Sequence, residues 1–332
     1  MKIPHSAPTM SEAEIEAASR VLRSGRLSQG PEVAAFEEEC AAFVERKYGV
    51  ATSSGTAALQ LALEAVHAVV ELKVALPTYG CVSLSTAVEL AGGWPELCDV
   101  GHDFNLDPAG VPDDCPFVIL PHLFGAQARL PQDKTVIEDI AQSIGGPTGR
   151  ASVASVASFY ATKLMTSGGE GGMVLTDDAD VADYVRDRRD YDNRDDYERR
   201  YNYKLTELQA AVGRIQLRRL SGFIERRREI AGRYEAAFRG YPMRLPSGDG
   251  HVYFRYVVQT PRREAIERSL NEQGIEAKRP VYLPAHHYFA DFGGDFPVAD
   301  EVHERCLSLP IYPSLTDAQT TFIIDSVRRF FA

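Results

Sequence analysis

Short apolar runs rich in strand-forming residues alternate with helical segments along the first half of the chain. Such runs lie at residues 49–53, 74–76, 97–100, 117–120, 135–137, 153–159 and 173–176. Segments whose apolar residues recur at helical spacing lie between several of them, for example residues 57–66 and 82–91. Because parallel strands need long crossover connections, usually helices, this alternation predicts an α/β fold with a mainly parallel, doubly wound sheet.

The pattern changes to longer helices after residue 176. Thr206 and Gln209 form a capping box for a helix that extends to about residue 238. Three further elements are predicted beyond it: a strand at residues 252–258, a helix at 262–273 and a final helix from Thr316. We therefore predict a large domain, residues 1–239, that includes the linking helix, and a smaller C-terminal α+β domain, residues 240–332.

The composition limits the classes of partner. The chain has 332 residues, of which 44% are hydrophobic and 25% charged, and its formal net charge is −11. Binding to nucleic acids or anionic membranes depends on clustered Lys and Arg, so this charge argues against both and favours small-molecule partners. The five cysteines are scattered without a Cys-x-x-Cys spacing, which indicates a reduced, cytoplasmic protein. No window approaches the roughly 20 apolar residues of a membrane span.

One lysine and one aspartate are placed for a particular chemistry. Lys163 stands just before a glycine run at residues 168–172, and Asp139 follows the apolar run at residues 135–137. The carboxyl end of a sheet strand is where open α/β folds bind ligands. A lysine amine on a loop together with such a carboxylate is the minimum equipment for carrying pyridoxal 5′-phosphate (PLP) as a Schiff base. The alternatives are a surface lysine and an aspartate that only caps a helix.

A candidate phosphate site precedes this pair. Ser54, Gly55 and Thr56 lie where a strand is expected to end and a helix to begin. Free backbone N–H groups and the helix dipole at such a point suit a phosphate, with the Thr56 hydroxyl as a further donor. Ser158 offers a second hydroxyl near Lys163. The alternative is a Ser or Thr cap on an ordinary helix, which is the commonest use of these residues.

Five ordered motifs extend this pattern. They are residues 24–31 (SGRLSQGP), 53–59 (SSGTAAL), 137–142 (IEDIAQ), 158–163 (SFYATK) with 169–172 (GEGG), and 202–211 (NYKLTELQAA). With these motifs in this order, the chain resembles the DegT/StrS-type aminotransferases, closely from about residue 8 to 240 and loosely beyond. The resemblance implies the fold of the fold-type-I PLP enzymes, and most members of that family aminate keto sugars attached to nucleotides.

The resemblance also implies residue roles. Lys163 would form the Schiff base and carry the proton during amino transfer. The other implied cofactor contacts are Asp139 at the pyridine nitrogen, Gln142 at the 3′-hydroxyl side, Gly55, Thr56 and Ser158 at the phosphate, and Asn202 at the phosphate of the neighbouring subunit. The active sites would therefore be shared across a homodimer. The implied amino donor is an amino acid, usually L-glutamate, and the product would be an amino sugar for surface polysaccharide or a secondary metabolite.

Two positions depart from the family pattern. Cys81 stands where many relatives place an aromatic residue against the cofactor ring, so either its sulfur packs on the ring or it is a buried core cysteine. Lys204 replaces the arginine that relatives usually carry after Asn-Tyr. We expect Lys204 to contact substrate, although it lacks the bidentate fork with which arginine grips an anion.

Other functions stay open on the sequence alone. The acceptor could be a non-nucleotide ketone such as a keto-cyclitol, or the fold could serve a non-catalytic regulator. A PLP-dependent sugar dehydratase would carry histidine in place of Lys163, and a nicotinamide oxidoreductase would need a Gly-x-Gly-x-x-Gly after a strand, which the chain lacks. No metal site is expected, because the adjacent His286 and His287 should point in different directions.

Overall fold

A computed structural model describes residues 2–67, 72–288 and 294–332 of the chain. Two helices precede the first strand, α1 (Glu12–Ser24) and α2 (Pro31–Val44). α1 begins with a capping box formed by Ser11 and Glu14, which satisfies two N–H groups that the first turn leaves free. α2 begins at Pro31, whose fixed φ and missing N–H suit the first helical position.

A sheet of seven strands forms the large unit. Its elements are β1 (Tyr48–Thr52), α3 (Gly55–Ala65), β2 (Lys73–Pro77), α4 (Ser83–Ala91), β3 (Trp94–Cys98), β4 (Phe117–Pro121), β5 (Thr135–Asp139), β6 (Ala154–Ser158), β7 (Gly172–Thr176), α5 (Ala179–Arg188) and α6 (Glu207–Phe238). The strand order is β1-β7-β6-β5-β4-β2-β3. Strands from β6 to β3 pair in parallel, whereas β7 is antiparallel to β1 and β6. The predicted mainly parallel sheet is confirmed, although β3 lies earlier than expected because its pairing with β2 starts at Trp94.

The central strands are buried on both faces. Along β7, Val174 packs in the apolar cluster with α3, α4 and α5, whereas Met173 and Leu175 pack in the opposite cluster with α2 and α6. Successive residues of a strand point to opposite faces, so a continuous apolar run is what a sheet covered on both sides requires. α6 begins with the predicted Thr206 and Gln209 capping box and ends at Phe238, as expected.

The C-terminal part forms a second, smaller unit. Its elements are β8 (Tyr256–Gln259), α7 (Arg263–Glu272), α8 (Pro297–Arg305), β9 (Cys306–Leu309) and α9 (Asp317–Phe331). β8 pairs with β9, antiparallel, and Gln259 at its end also bridges to Arg244. The predicted strand at 252–258 is therefore partly wrong. The backbone N–H groups of Val252 and Arg255 donate to Gly125 and Phe124, at 3.0 and 3.3 Å, so these residues follow a loop of the large unit instead.

The first residues of the chain pack on this smaller unit. Ile3 is fully buried in its apolar cluster and exchanges backbone hydrogen bonds with Gly274 and Glu276, at 2.8 and 2.9 Å. The proposed boundary at residues 239 and 240 coincides with the end of α6 and stays a prediction. Across the described ranges, every helix is too short or too polar to cross a membrane.

Candidate active site

The predicted lysine and carboxylate meet at the carboxyl ends of the parallel strands. Asp139 ends β5, and Lys163 lies on the loop after β6. Both border one cavity of about 240 Å³. The other predicted cofactor contacts that line this cavity are Gly55, Thr56, Cys81, Gln142 and Ser158. The fold therefore brings together every predicted site residue except Asn202 and Lys204.

Burial and the electrostatic attraction between Lys163 and Asp139 shift the pKa values of these two groups in opposite directions. Burial lowers the pKa of the Lys163 amine, and the charge of Asp139 opposes that shift. Burial raises the pKa of Asp139, opposed by Lys163 and by a hydrogen bond of 2.9 Å from the Ala141 N–H. The nucleophilic form of lysine is the neutral amine, so a lowered pKa makes Lys163 available for attack on a carbonyl carbon.

Small residues form a cradle for an anion beside this pair. Gly55 and Thr56 open α3, and the Ser54 Oγ caps that helix by accepting from the Ala57 N–H at 3.1 Å. Capping is thus the role of Ser54, and the Thr56 hydroxyl is not needed for it. A Cβ on Gly55 would lie only 2.8 Å from the Ser158 Cβ, so glycine permits this close approach.

The residues present fit PLP. A phosphate fits the N-terminal turn of α3, where backbone N–H groups and the helix dipole favour an anion. The antiparallel strand β7 closes the cradle, since Gly172 pairs with Thr52 on one side and with Ser158 on the other. A Cβ on Gly172 would lie 2.3 Å from the Ser54 carbonyl oxygen, so a larger residue would displace the cradle.

Gln142 and Cys81 complete the cavity wall. The Gln142 Oε1 accepts from the Phe124 N–H at 2.8 Å, which fixes the orientation of the amide. Cys81 is exposed, so the alternative of a buried core cysteine is wrong. The Ser83 hydroxyl donates to the Cys81 Sγ at 3.1 Å. A thiol at this position can pack against the face of a planar ring.

Asn202 and Lys204 lie on a segment outside this cavity. The rings of Tyr201 and Tyr203 stack with centroids 4.8 Å apart and planes inclined by 6°. Asn202, which lies between these two tyrosines in the sequence, is exposed. The Lys204 Nζ donates to Asp190 Oδ1 at 2.8 Å. Cofactor contact by Asn202 and substrate contact by Lys204, both from a neighbouring subunit, stay predictions.

A buried pair next to Asp139 was missed by the sequence analysis. The His122 Nε2 lies 2.9 Å from Glu138 Oε1, and both side chains are almost fully buried. Burial raises the pKa of Glu138, but hydrogen bonds from His122, the Ser152 hydroxyl and the Gly149 N–H outweigh it and lower the pKa to about 2. An acidic residue inside an apolar strand needs partners when buried, and this rule could have identified Glu138. We infer that this network holds the end of β5 and hence Asp139.

We expect Glu138→Gln to destabilise the fold by about 3 kcal/mol at neutral pH, because an amide cannot accept from all of these buried donors. The pKa of Glu138 is lower in the folded protein than the usual 4.5, so its stabilising contribution exists above that value and is lost as pH falls toward about 2. Denaturant unfolding at pH 6 and pH 3 measures this. The exposed Glu38→Gln serves as the control, and an equal deficit of Glu138→Gln at both pH values would contradict the assignment.

A second cavity of about 280 Å³ adjoins the first. Cys81, Gln142 and Lys163 line both. The remaining wall comes largely from segments that the sequence analysis did not connect with the site: Leu123, Phe124, Phe254, Arg255, residues 280–283 and Tyr288. No local motif marks these residues: Leu123 and Phe124 lie on the loop after β4, and the others reach the site through packing of the smaller unit against the large one.

The two adjacent histidines do not diverge as expected. The Nε2 atoms of His286 and His287 both contact Asp300 Oδ1, at 3.1 and 2.8 Å. Their ring centroids are 4.2 Å apart. The prediction that they point apart is therefore wrong, and we assign the cluster to the packing of α8 against the preceding turn.

Comparison with known proteins agrees with this geometry. The profile of the DegT/DnrJ/EryC1/StrS aminotransferase family matches residues 8–328. The chain is 33% identical over 376 residues to the spore coat polysaccharide biosynthesis protein SpsC of Bacillus subtilis, covering 98% of this chain and 96% of that one. It is 33% identical over 350 residues to the dTDP-3-amino-3,4,6-trideoxy-alpha-D-glucose transaminase of Streptomyces venezuelae, covering 96% and 92%.

Solved structures agree as well. The crystal structure of S. venezuelae DesV in complex with a ketimine intermediate superposes with a TM-score of 0.90 at 31% identity, covering 96% of this chain and 94% of that chain. The expected PLP fold and the resemblance seen in the motifs are therefore confirmed. Because the matches span nearly the whole chain and the lysine, carboxylate and glycine cradle meet in one cavity, the protein belongs to the DegT/DnrJ/EryC1/StrS family of PLP-dependent aminotransferases.

Proposed function

We propose that the protein transfers an amino group from an amino acid, with L-glutamate as the proposed donor, to a keto sugar linked to a nucleotide. The observation that carries the proposal is that Lys163 and Asp139 interact electrostatically at the wall of one cavity, which the anion cradle residues Gly55, Thr56 and Ser158 also line. Relatives named as transaminases of dTDP-linked amino sugars support the choice of acceptor.

Different residues of the chain have different roles in the proposed reaction. When bound, PLP supplies an electron-withdrawing ring that stabilises negative charge on the reacting carbon. Gly55, Thr56 and Ser158 hold its phosphate. Asp139 holds the proton at the pyridine nitrogen, since a buried carboxylate is best neutralised by a cation. The Lys163 Nζ would accept the proton from the α-carbon of the donor and deliver it to the former aldehyde carbon of the cofactor, which is general acid–base catalysis by one amine.

The second cavity supports a large acceptor. Tyr282 is 86% exposed, and Tyr160 and Tyr288 are 46% and 47% exposed, so three aromatic rings stand at its mouth. Exposed tyrosines offer flat apolar faces and hydroxyl groups, which suit the stacking and hydrogen bonding of a base or a sugar. A non-nucleotide ketone such as a keto-cyclitol would leave part of this surface unused.

The proposed function is tested by product analysis. The PLP-loaded protein is incubated with L-glutamate and a panel of nucleotide-linked keto sugars and keto-cyclitols, and the aminated product is identified by mass. We expect a nucleotide-linked amino sugar together with 2-oxoglutarate. Amination of only the cyclitols would reject the acceptor, and failure of glutamate to change the absorbance of the bound cofactor would reject the donor.

We further propose a homodimer with shared active sites in the cytoplasm. The described cysteines are all free, which fits a reducing compartment. The exposed position of Asn202, between two stacked tyrosines, supports a contact with a neighbouring subunit. An asparagine that donates to a phosphate makes a charge-assisted hydrogen bond, so Asn202→Ala should lower activity by about 10-fold to 100-fold.

Mixing of two impaired variants, Lys163→Ala and Asn202→Ala, tests the shared site. If Asn202 serves the neighbouring cofactor, a hybrid of Lys163→Ala and Asn202→Ala subunits contains one complete site. Equal mixing with subunit exchange should then restore about a quarter of wild-type activity, because half of the dimers are hybrids. The measurement is turnover before and after exchange. No recovery in verified hybrid dimers would show that Asn202 does not act across the interface.

A further inference from the structure

Arg255 is a half-buried cation at the active site for which the described residues supply no ion pair. Its guanidinium contacts His5, at 2.9 Å from Nδ1 and 3.2 Å from Nε2. Burial, followed by the charge of Arg255, lowers the pKa of His5 to about 2, so this imidazole is neutral and accepts a hydrogen bond. Burial lowers the pKa of Arg255 itself to about 10, with no opposing effect of an anion. Withdrawing a charge from water without a counter-ion is costly even when burial is partial, and a ligand with a negative charge would remove that cost.

The surrounding structure holds Arg255 in one place. The buried Arg227 of α6 donates to the carbonyl oxygens of Tyr253 and Phe254, both at 3.1 Å. The Arg255 N–H donates to the Phe124 carbonyl at 3.3 Å. The Phe124 N–H in turn is held by Gln142 in the cofactor cavity. The backbone of Arg255 is therefore fixed relative to the cavity that contains Lys163.

Arg255 and Lys163 lie against the same aromatic ring. The Lys163 Nζ is 5.5 Å from the ring centroid of Phe254, and the Arg255 Cζ is 5.0 Å from it. Both residues line the second cavity. The positive charge of Arg255 also lowers the pKa of Lys163, after the larger effect of burial. An amino acid whose nitrogen reacts beside Lys163 carries its carboxylate only a few bonds away.

We propose that Arg255 binds a carboxylate of the amino donor. The planar guanidinium presents paired N–H groups that match the two oxygens of a carboxylate, and neutral His5 positions the guanidinium without neutralising it. The inference rests on the proposed aminotransfer, and it assigns to Arg255 the anion recognition that the sequence analysis expected of Lys204. The carboxylate of the donor would then supply the negative charge that the described residues do not provide for Arg255.

The test separates the two halves of the reaction. PLP-loaded wild type, Arg255→Gln, Arg255→Lys and the exposed control Arg268→Gln are mixed with L-glutamate alone, and cofactor absorbance is followed over a concentration series. We expect Arg255→Gln to raise the half-saturating glutamate concentration by about 10-fold to 100-fold, the usual effect of losing a charge-assisted hydrogen bond. Arg255→Lys should recover part of the loss. With a primary amine that lacks a carboxylate, all four proteins should react alike.

Two further measurements make the outcome decisive. The affinity for glutarate, a dicarboxylate without an amine, is measured by calorimetry and should fall by a similar factor in Arg255→Gln. Because glutarate does not react, this measurement tests the carboxylate site even if the proposed transamination fails. In the second half-reaction, in which the aminated cofactor reacts with the keto sugar, the half-saturating concentration of the keto sugar should be the same in Arg255→Gln as in wild type. A loss confined to the acceptor would show that Arg255 binds a phosphate of the nucleotide. Unchanged glutamate and glutarate binding would overturn the proposal in favour of a packing role.

Discussion

Lys163→Ala is expected to lower turnover by about 10⁴-fold, because general acid–base catalysis supplies up to that factor and Lys163 is also the nucleophile. Its amine borders the cavity between Asp139 and Cys81, and burial lowers its pKa. The phosphate cradle at Gly55 and Ser158 is untouched, so the variant should still bind PLP. Turnover is measured as release of 2-oxoglutarate in the presence of donor and acceptor.

A direct chemical readout complements the rate. Borohydride reduction of PLP-loaded wild type, followed by peptide mass analysis, should leave the cofactor attached to the peptide that contains Lys163. The exposed Lys47→Ala is the matched control and should keep both activity and the labelled peptide. Retention of more than about a tenth of wild-type turnover in Lys163→Ala would contradict the role assigned to this amine.

Asp139→Asn should lower turnover by about 10²-fold to 10³-fold, the usual effect of removing one preorganised electrostatic partner. The substitution keeps the shape of the side chain and an oxygen that can accept from the Ala141 N–H. It removes the negative charge that faces Lys163 and that would face the pyridine nitrogen. The variant should therefore fold and still bind the phosphate of PLP. Steady-state rates with saturating donor and acceptor measure the loss.

In the protein without cofactor, the same substitution should shift the pKa of Lys163 in a defined direction. Because the charge of Asp139 raises the pKa of Lys163 against the effect of burial, Asp139→Asn should lower that pKa further. The pH dependence of Lys163 acylation, followed by peptide mass analysis, measures it, and the curve should move to lower pH. The exposed Asp113→Asn is the control. An unchanged curve would show that the two groups do not interact, and turnover within a few-fold of wild type would contradict the role of Asp139 at the pyridine nitrogen.

Much of the large unit could be predicted from local pattern. The apolar runs that became β2, β4, β5, β6 and β7 are short and rich in strand-forming residues, and the helix caps at Thr206 and Ser11 are encoded within four neighbouring residues. The same holds for Lys163, Asp139 and the turn at Gly55. Asp139 ends β5, Gly55 and Lys163 lie on the connections that follow β1 and β6, and the carboxyl ends of strands with one direction meet at one edge of a sheet.

The sequence-based predictions that failed concern residues whose backbone or side-chain hydrogen-bond partners are distant in the chain. Residues 252–255 have a strand-like sequence, but their N–H groups bond to the loop at Phe124 and Gly125, so the strand begins only at Tyr256. α8 and β9 escaped prediction because they are short, and the backbone partners of β9, which are β8 and Lys278, are distant in the chain. Glu138 was overlooked because its partner, His122, lies on the loop after β4 and not within β5.

The sequence by itself determined the order of strands and helices, the family, and the lysine, carboxylate and glycine turn that a PLP enzyme requires. These depend on periodicity and on residues within one motif, which local sterics and hydrogen bonding decide. Only the tertiary structure decided that Arg255, held by His5 from the other end of the chain, lies against the same ring as Lys163. That arrangement arises from packing between the two units, and packing depends on contacts between residues that no local pattern connects.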